Sequence, residues 1–348
     1  MSGETRPARA SMKEVADRAG VAMSSVSRVL SGHPDVSPTM RERVMAVVAE
    51  IGYQPDLLAQ SLRRRATRSV GFVVGDIANP LLAQIVQGAE RTLRDSGYSM
   101  LLTNSENLPE RDAAHVRLFE QRRVDGLMLS LAAEDHEETI AVLRQFDTPA
   151  VLVDRDLPPE INASAVLSDH RSGMRAAVEH LLDLGHRRIG IILGQPMRPS
   201  RERRAGVEEA FASRGLPATY VVVEGLLATE HGRNGTRQLL DADEPPTAIV
   251  AAGNQLLIGT LEELRARGVA VGADVSLVSC DAIDVTELYD PPIAVVRRDT
   301  REIGRQAAKL LLERVGEDDP GARTVVLPTT FVPRASCAPP PAGASLSS

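Results

Sequence analysis

The strongest constraint on the fold is a recurrent apolar segment, in several cases closed by a polar residue, that alternates with amphipathic stretches. VGFVVGD (70–76), YSMLLTN (98–104), GLMLSL (126–131) and AVLVDR (150–155) form a first series. RIGIILG (188–194), YVVVEG (220–225), AIVAAG (248–253) and SLVSCD (276–281) form a second, entered through a helix after Asp169. The intervening stretches read as helices. One starts at Pro80, suited to a first turn, and stops near Gly97, suited to the position just past a helix end. Such alternation predicts parallel sheets covered by helices on both faces, and two series predict two similar lobes with a cleft between them. Ligands of open α/β sheets bind beyond the carboxyl ends of the strands. Asp76, Asn79, Asn104, Asp154, Asn254 and Asp281 fall there. Helix capping by Asp and Asn is the alternative account of some of them.

The N-terminal part has a different logic. In residues 10–55, Val15, Ala16 and Ala19 share one face of a first helix, and Gly20 breaks it. Val26, Val29 and Leu30 form the apolar face of a second helix beginning near Met23. Ser37-Pro38 opens a third, with Val44, Val47, Val48 and Ile51 in one stripe and Gly52 closing it. Three short helices with a glycine turn fit a helix-turn-helix, whose second helix offers Met23, Ser24 and Arg28 to base edges. From spacing alone, a small helical dimerisation module is the alternative. Charge favours DNA: residues 1–66 carry a balance of +3 within a chain of net charge −7. A short segment with Arg63-Arg64-Arg65 joins the two parts.

MKEVADRAGVAMSSVSRVLSG followed by VSPTMRERVMAVVAEIGYQPDLLAQSLR resembles the lactose-repressor (LacI/GalR) family of bacterial regulators. The likeness continues in order through VGFVVGDIANPLLAQIVQGAE, RRVDGLMLS, VLVDRDLP, HLLDLGHRRIGII, RERRAG, PPTAIVAAGNQ, GADVSLVSCDAID and PPIAVVRRD, across residues 11–336. It implies a multidomain chain with an all-α helix-turn-helix headpiece (10–55) and a hinge helix or linker (56–67). The core (68–336) would be an α/β, two-lobed, periplasmic-binding-protein-like unit with parallel sheets. Its lobes would comprise 68–167 with 298–325 and 168–297 with 326–336. Residues 1–9 and the Pro/Ala/Ser-rich 337–348 are expected to be disordered tails.

The resemblance also implies partners and roles. The chain would be a homodimeric, possibly tetrameric, transcriptional repressor reading a pseudo-palindromic operator. A small-molecule effector, a sugar or related polar metabolite, would occupy the interlobe cleft. Met23 and Ser24 match positions that set base preference, Arg28 a base-contacting arginine, and Ser27 and Ser31 polar positions near the DNA backbone. Ala22 stands where the family often has Ser. Leu62 matches a hinge leucine that wedges into a base step, and packing on a dimer mate is its alternative. Asp56 stands where Asn is common. Asp76, Asn79, Asp154, Arg201, Asn254 and Asp281 match the effector-binding cleft, with Arg203 and Arg204 read as surface helix charges. Leu81, Leu227 and Cys280 replace aromatic faces, in a chain with no Trp and only nine Phe and Tyr. Gly253-Asn254 and Asp281-Ala282 replace a common Asn-Asp and Asp-Asp. These departures weaken a pyranose ligand and favour an anionic or non-sugar effector; induction and co-repression both stay open.

Other classes fit less well. No stretch of 18 apolar residues offers a membrane span; the first ten residues lack the apolar run of a secretory signal, and this with the presence of residues 10–66 opposes a transporter's solute-binding protein. Two cysteines, Cys280 and Cys337, are too few for a disulfide framework, so a cytoplasmic home is expected. The seven histidines show no metal-ligand spacing, and there is no G-x-S-x-G elbow or P-loop, so neither an enzyme nor a cofactor is expected. His186 in LGHRRIG reads as structural. Cys280 reads as a buried filler, with a pocket thiol as its alternative.

Overall fold

A computed structural model of the chain describes residues 10–54, 66–316 and 319–341. It divides into two compact units, 1–67 and 68–348.

In the first unit, α1 (Met12–Ala19), α2 (Met23–Leu30) and α3 (Pro38–Glu50) enclose one small core of Val15, Ala16, Ala19, Val26, Val29, Val44, Val47 and Tyr53. Local chemistry sets the ends. The Ser11 hydroxyl accepts the Glu14 N–H at 3.2 Å, and Ser37 accepts that of Met40 at 3.3 Å. Gly20 turns the chain between α1 and α2 at φ 61°, a conformation costly for a residue with a Cβ. Arg18 pairs with both Glu14 and Glu50, tying α1 to α3.

The second unit holds two six-stranded sheets. Lobe 1 has the order β11-β5-β4-β3-β1-β2. Its strands are β1 (Ser69–Val74), β2 (Ser99–Asn104), β3 (Gly126–Ser130), β4 (Ala150–Val153), β5 (Ala163–Ser168) and β11 (Thr324–Leu327), all parallel. Central β1 buries both faces. Val70, Phe72 and Val74 meet α4 (Pro80–Asp95) and α12 (Thr300–Arg314). Val73 points the other way, to α5 (Pro109–Arg122) and α6 (Glu137–Arg144). Lobe 2 has the order β12-β10-β9-β8-β6-β7. It comprises β6 (Ile189–Leu193), β7 (Tyr220–Glu224), β8 (Ala248–Ala251), β9 (Ser276–Cys280), β10 (Ala294–Arg297) and β12 (Thr330–Val332). Helices α7 (His170–Asp183) and α8 (Arg198–Ser213) cover one face, and α9 (Thr229–Leu240) and α10 (Asn254–Ala266) the other. A short α11 (Asp284–Leu288) lies between β9 and β10.

The eight segments read as strands are strands. Four more were not expected: β5, whose ASAVLS is rich in small polar residues, and the short β10, β11 and β12. β12 also departs from the expected parallel sheets. It runs antiparallel to β10: the chain passes from β11 in the lobe 1 sheet straight into β12 in the lobe 2 sheet, with two residues and no helix between. The chain crosses between sheets three times, after Ser168, Arg297 and Leu327.

The expected C-terminal tail, from residue 337, is corrected at Cys337 and Ala338, which are held against lobe 2. Ser336 donates to Leu277 O at 2.6 Å and accepts the Ala294 N–H at 2.8 Å. Ala338 N–H donates to Ser276 Oγ at 3.0 Å. His186 Nε2 lies 2.9 Å from Ala338 O and 3.0 Å from Ser276 Oγ, with Nδ1 2.8 Å from Thr247 Oγ1. The imidazole thus fixes the chain end to the sheet, as a structural histidine.

Candidate functional site

The headpiece presents one face of α2. Val26 and Val29 are buried, which turns Met23, Ser24 and Arg28 outward, Met23 with 47% of its surface exposed. Ser27, half-buried, and Ser31, exposed, follow on adjoining turns, and the Ser31 hydroxyl donates to Arg28 O at 3.1 Å. Ala22 begins the helix without a side-chain cap, so the first α2 N–H groups keep no local side-chain acceptor. Leu62 and the Asp56 substitution lie outside the described residues.

The cleft of the second unit is built from strand ends. Asp154 follows β4 and Asp281 follows β9, both at positive φ (49° and 87°) and nearly fully buried. Between them lies Arg298, at the β10 crossing. Its Nε donates to Asp281 Oδ1 at 2.6 Å and its Nη1 to Asp154 Oδ2. Asp154 also accepts the Ser168 N–H at 2.5 Å and the Ser168 hydroxyl at 2.9 Å. Asp281 lies 3.7 Å from Arg203, whose Nη1 donates to Ala252 O at 2.9 Å. One guanidinium therefore ties the deep carboxylates of both lobes.

Electrostatics follow from this packing. Burial pushes the Asp154 carboxyl up, but neighbouring His170, Arg298 and the Ser168 N–H outweigh it and hold it well below the usual range. Burial likewise opposes ionisation of Asp281, and Arg298 and Arg203 reverse it. For Arg298 burial is outweighed by Asp281 and Asp154, so it stays charged. His170, 3.5 Å from Asp154, is pushed down by burial, with Arg203 and Arg298 acting the same way. The Cys280 thiol, buried in the lobe 2 core, is pushed up to about 11 by burial, which fits a filler.

The mouth of the cleft is bridged. Asn254 Nδ2 donates to Asn79 Oδ1 at 3.0 Å, and Gln255 Nε2 donates to Asp76 Oδ2 at 3.0 Å. Asn79 also caps α4 by accepting the Leu81 N–H. The enclosed space is about 90 Å³ and has Leu81 and Leu227 but no aromatic ring in its lining. Asp76, Asn79, Asp154, Asn254 and Asp281 all line it. Asn104 does not, and braces a loop by accepting the Ile77 N–H at 3.1 Å.

Arg201 and Arg203 exchange the places expected of them. The buried stripe of α8 runs through Ser200, Arg203, Gly206, Val207 and Ala210, so Arg203 points into the cleft with 7% exposure. Arg201 falls off the stripe and leaves the side chain 47% exposed. It donates to Glu134 Oε2 at 2.6 Å and Asp156 Oδ2 at 2.8 Å, in a neighbouring recess of about 390 Å³. Arg204 is the surface charge, paired with Glu224. Glu134 also accepts the Arg198 N–H, capping α8 from the other lobe. Arg298, Arg203, Arg155 and His170 were not among the expected site residues. The rule that found Asp154 and Asp281, a polar residue just past a strand, finds Arg298 once β10 is recognised.

Comparison with known proteins agrees with this architecture. Residues 11–56 match the family described as bacterial regulatory proteins, lacI family, and residues 178–337 match a periplasmic binding protein-like domain. The HTH-type transcriptional repressor PurR of Haemophilus influenzae (strain PittEE) is 32% identical over 317 residues, spanning 90% of this chain and 94% of that repressor. The lac repressor dimer bound to operator and the anti-inducer ONPF superposes with a TM-score of 0.84 at 27% identity, covering 95% of this chain and 100% of that one. The transcriptional regulator CelR in complex with cellobiose has a TM-score of 0.71 at 32% identity, covering 94% and 100%. With its helix-turn-helix headpiece, two-lobed core and matching relatives along nearly its whole length, the chain belongs to the lacI family of bacterial regulatory proteins.

Proposed function

We propose that this chain represses transcription by binding a pseudo-palindromic operator as a homodimer, with α2 in the major groove, and that a small polar effector in the interlobe cleft controls it. The observation that carries the reading is the outward face of α2. Met23, Ser24 and Arg28 project from a helix whose other side is fixed in the headpiece core. Arg28 can pair bidentately with guanine, Met23 and Ser24 set base preference, and Ser27 and Ser31 contact the DNA backbone. The operator-bound lac repressor and the cellobiose-bound CelR support the two halves of the reading.

In the cleft, Asp76, Asn79, Asp154, Arg203, Asn254 and Asp281 are the effector-contacting groups, and Arg201 acts at the rim as a clasp between lobes. An effector works only through different affinities for two lobe arrangements. The bridged cleft, held by Asn79–Asn254 and Asp76–Gln255, is one of them. The protein works in the cytoplasm, beside its DNA, and catalyses no reaction.

Selection of bound DNA from a random pool tests the proposal. The expected result is a two-fold-related pair of half-sites, bound with affinity that falls steeply as salt rises, because phosphate neutralisation releases counterions. Recovery of no common sequence, or affinity indifferent to salt, rejects it.

A further inference from the structure

The cleft's acids and bases are not matched evenly. Asp154 has two bonds from Ser168 and one from Arg298, and Asp281 shares Arg298 and faces Arg203. These deep carboxylates are already engaged by the protein. Arg155 is different. It lines the cleft one residue after Asp154 and forms no ion pair with any described carboxylate. Its Nε donates to Leu131 O at 2.6 Å and its Nη1 to Asp154 O at 2.8 Å. Two carbonyls thus lock the guanidinium in place and use two of its five N–H groups, leaving Nη2 with no acceptor among the described residues. The guanidinium is half-buried at the cleft, so its free Nη2 edge can meet an anionic ligand group. At the opposite chemistry, Asp76 is met only by neutral donors, the Ala78 N–H and the Gln255 amide, so it can accept from ligand hydroxyls.

We infer that the cleft takes a small hydroxylated molecule carrying a carboxylate or phosphate group, and that Arg155 receives that group. The inference rests on the cleft being the effector site and specifies its ligand. Arg298 acts as the specificity-determining residue beside it. By engaging one oxygen of each deep carboxylate it leaves fewer acceptor sites for a neutral polyol, and it lines the same cleft. The lining has no aromatic ring to stack on a sugar face. A guanidinium fork matches both anions geometrically.

Matched pairs of probes test this on the full chain: D-ribose against ribose 5-phosphate, and D-glucose against D-gluconate. Calorimetric titration is expected to show at least one anionic member binding tenfold or more tightly than its neutral partner. Which pair responds separates phosphate from carboxylate. Arg155→Gln is expected to abolish the preference, and Arg155→Lys to retain part of it. Equal or tighter binding of the neutral members, no binding of any anionic member, or an unchanged preference in Arg155→Gln overturns the inference. If Arg155→Gln does not fold, the paired comparison on the unaltered chain decides alone. Retained DNA binding with no anion preference defeats this inference but not the regulator reading; loss of specific DNA binding in the unaltered chain defeats that reading itself.

Discussion

At the scale of single residues, Arg298 has a larger expected effect on stability than Arg201. Its side chain and those of Asp154 and Asp281 are 15%, 5% and 5% exposed, so removing the cation strands two buried carboxylates. Arg298→Gln is expected to destabilise the core by about 3–5 kcal/mol in urea unfolding. Arg201→Gln breaks two pairs at a half-exposed side chain, where solvent screens the charges, and is expected to cost no more than about 1 kcal/mol in the same experiment. Comparable losses in the two variants would contradict this account. The difference also explains what could be read from the sequence. A polar residue past an apolar segment is visible by eye, and it led to Asp76, Asp154 and Asp281. Choosing among Arg201, Arg203 and Arg204 needs the phase of α8, fixed by Gly206, Val207 and Ala210 packing on the sheet. A shift of two positions along a helix turns a side chain by about 200°, enough to exchange cleft for surface.

At the scale of elements, helix pairs determine how tightly each lobe closes over its sheet. Helices α4 and α12 approach so closely at Gly88 and Gly304 that a Cβ at Gly304 would lie 1.9 Å from Ile85 O, a backbone atom that cannot step aside. Gly304→Ala is therefore expected to cost about 1–3 kcal/mol by forcing the helices apart, read from the denaturation midpoint. For α2 the consequence is recognition. Arg28→Ala is expected to weaken operator binding by roughly 1–3 kcal/mol and to relax preference at one base position, measured by titration against the selected site and its single-base variants. Helices were legible because their caps, stops and stripes are local, as at Gly20, Ser37 and Val44–Val47. β11 and β12 were not, since they are edge strands that owe their state to the sheets they join.

For the whole molecule, two buried histidines make protonation destabilising just below neutral pH. Burial lowers the His170 and His186 pKa below the usual imidazole value, so the unfolded chain binds protons that the folded chain resists. Their stabilising contribution is complete above about pH 6.5 and is lost as pH falls below it. Asp154 and Asp281, also lowered, add a further loss only in the more acidic carboxylate range. The melting temperature is expected to fall between about pH 7.5 and pH 5.5, and a flat or rising profile would count against neutral buried histidines. The two-lobed plan was legible because each series of strands and helices repeats the same alternation. Its closure was not, because β11, β12 and the docked 336–338 segment come from the end of the chain. That return path has a bearing on synthesis. As the chain emerges from the ribosome, lobe 1 has five of its strands by Ser168 and lobe 2 five of its own by Arg297, yet both lack an edge strand until residues 324–332 appear. β5 and β10 then wait with an unpaired side, α4 waits for α12, and His186 waits for Ala338. Ribosome-bound chains stopped before Thr324 should therefore be protease-sensitive in both lobes at once, and protection should arrive late and together, as expected where long-range pairing closes a fold.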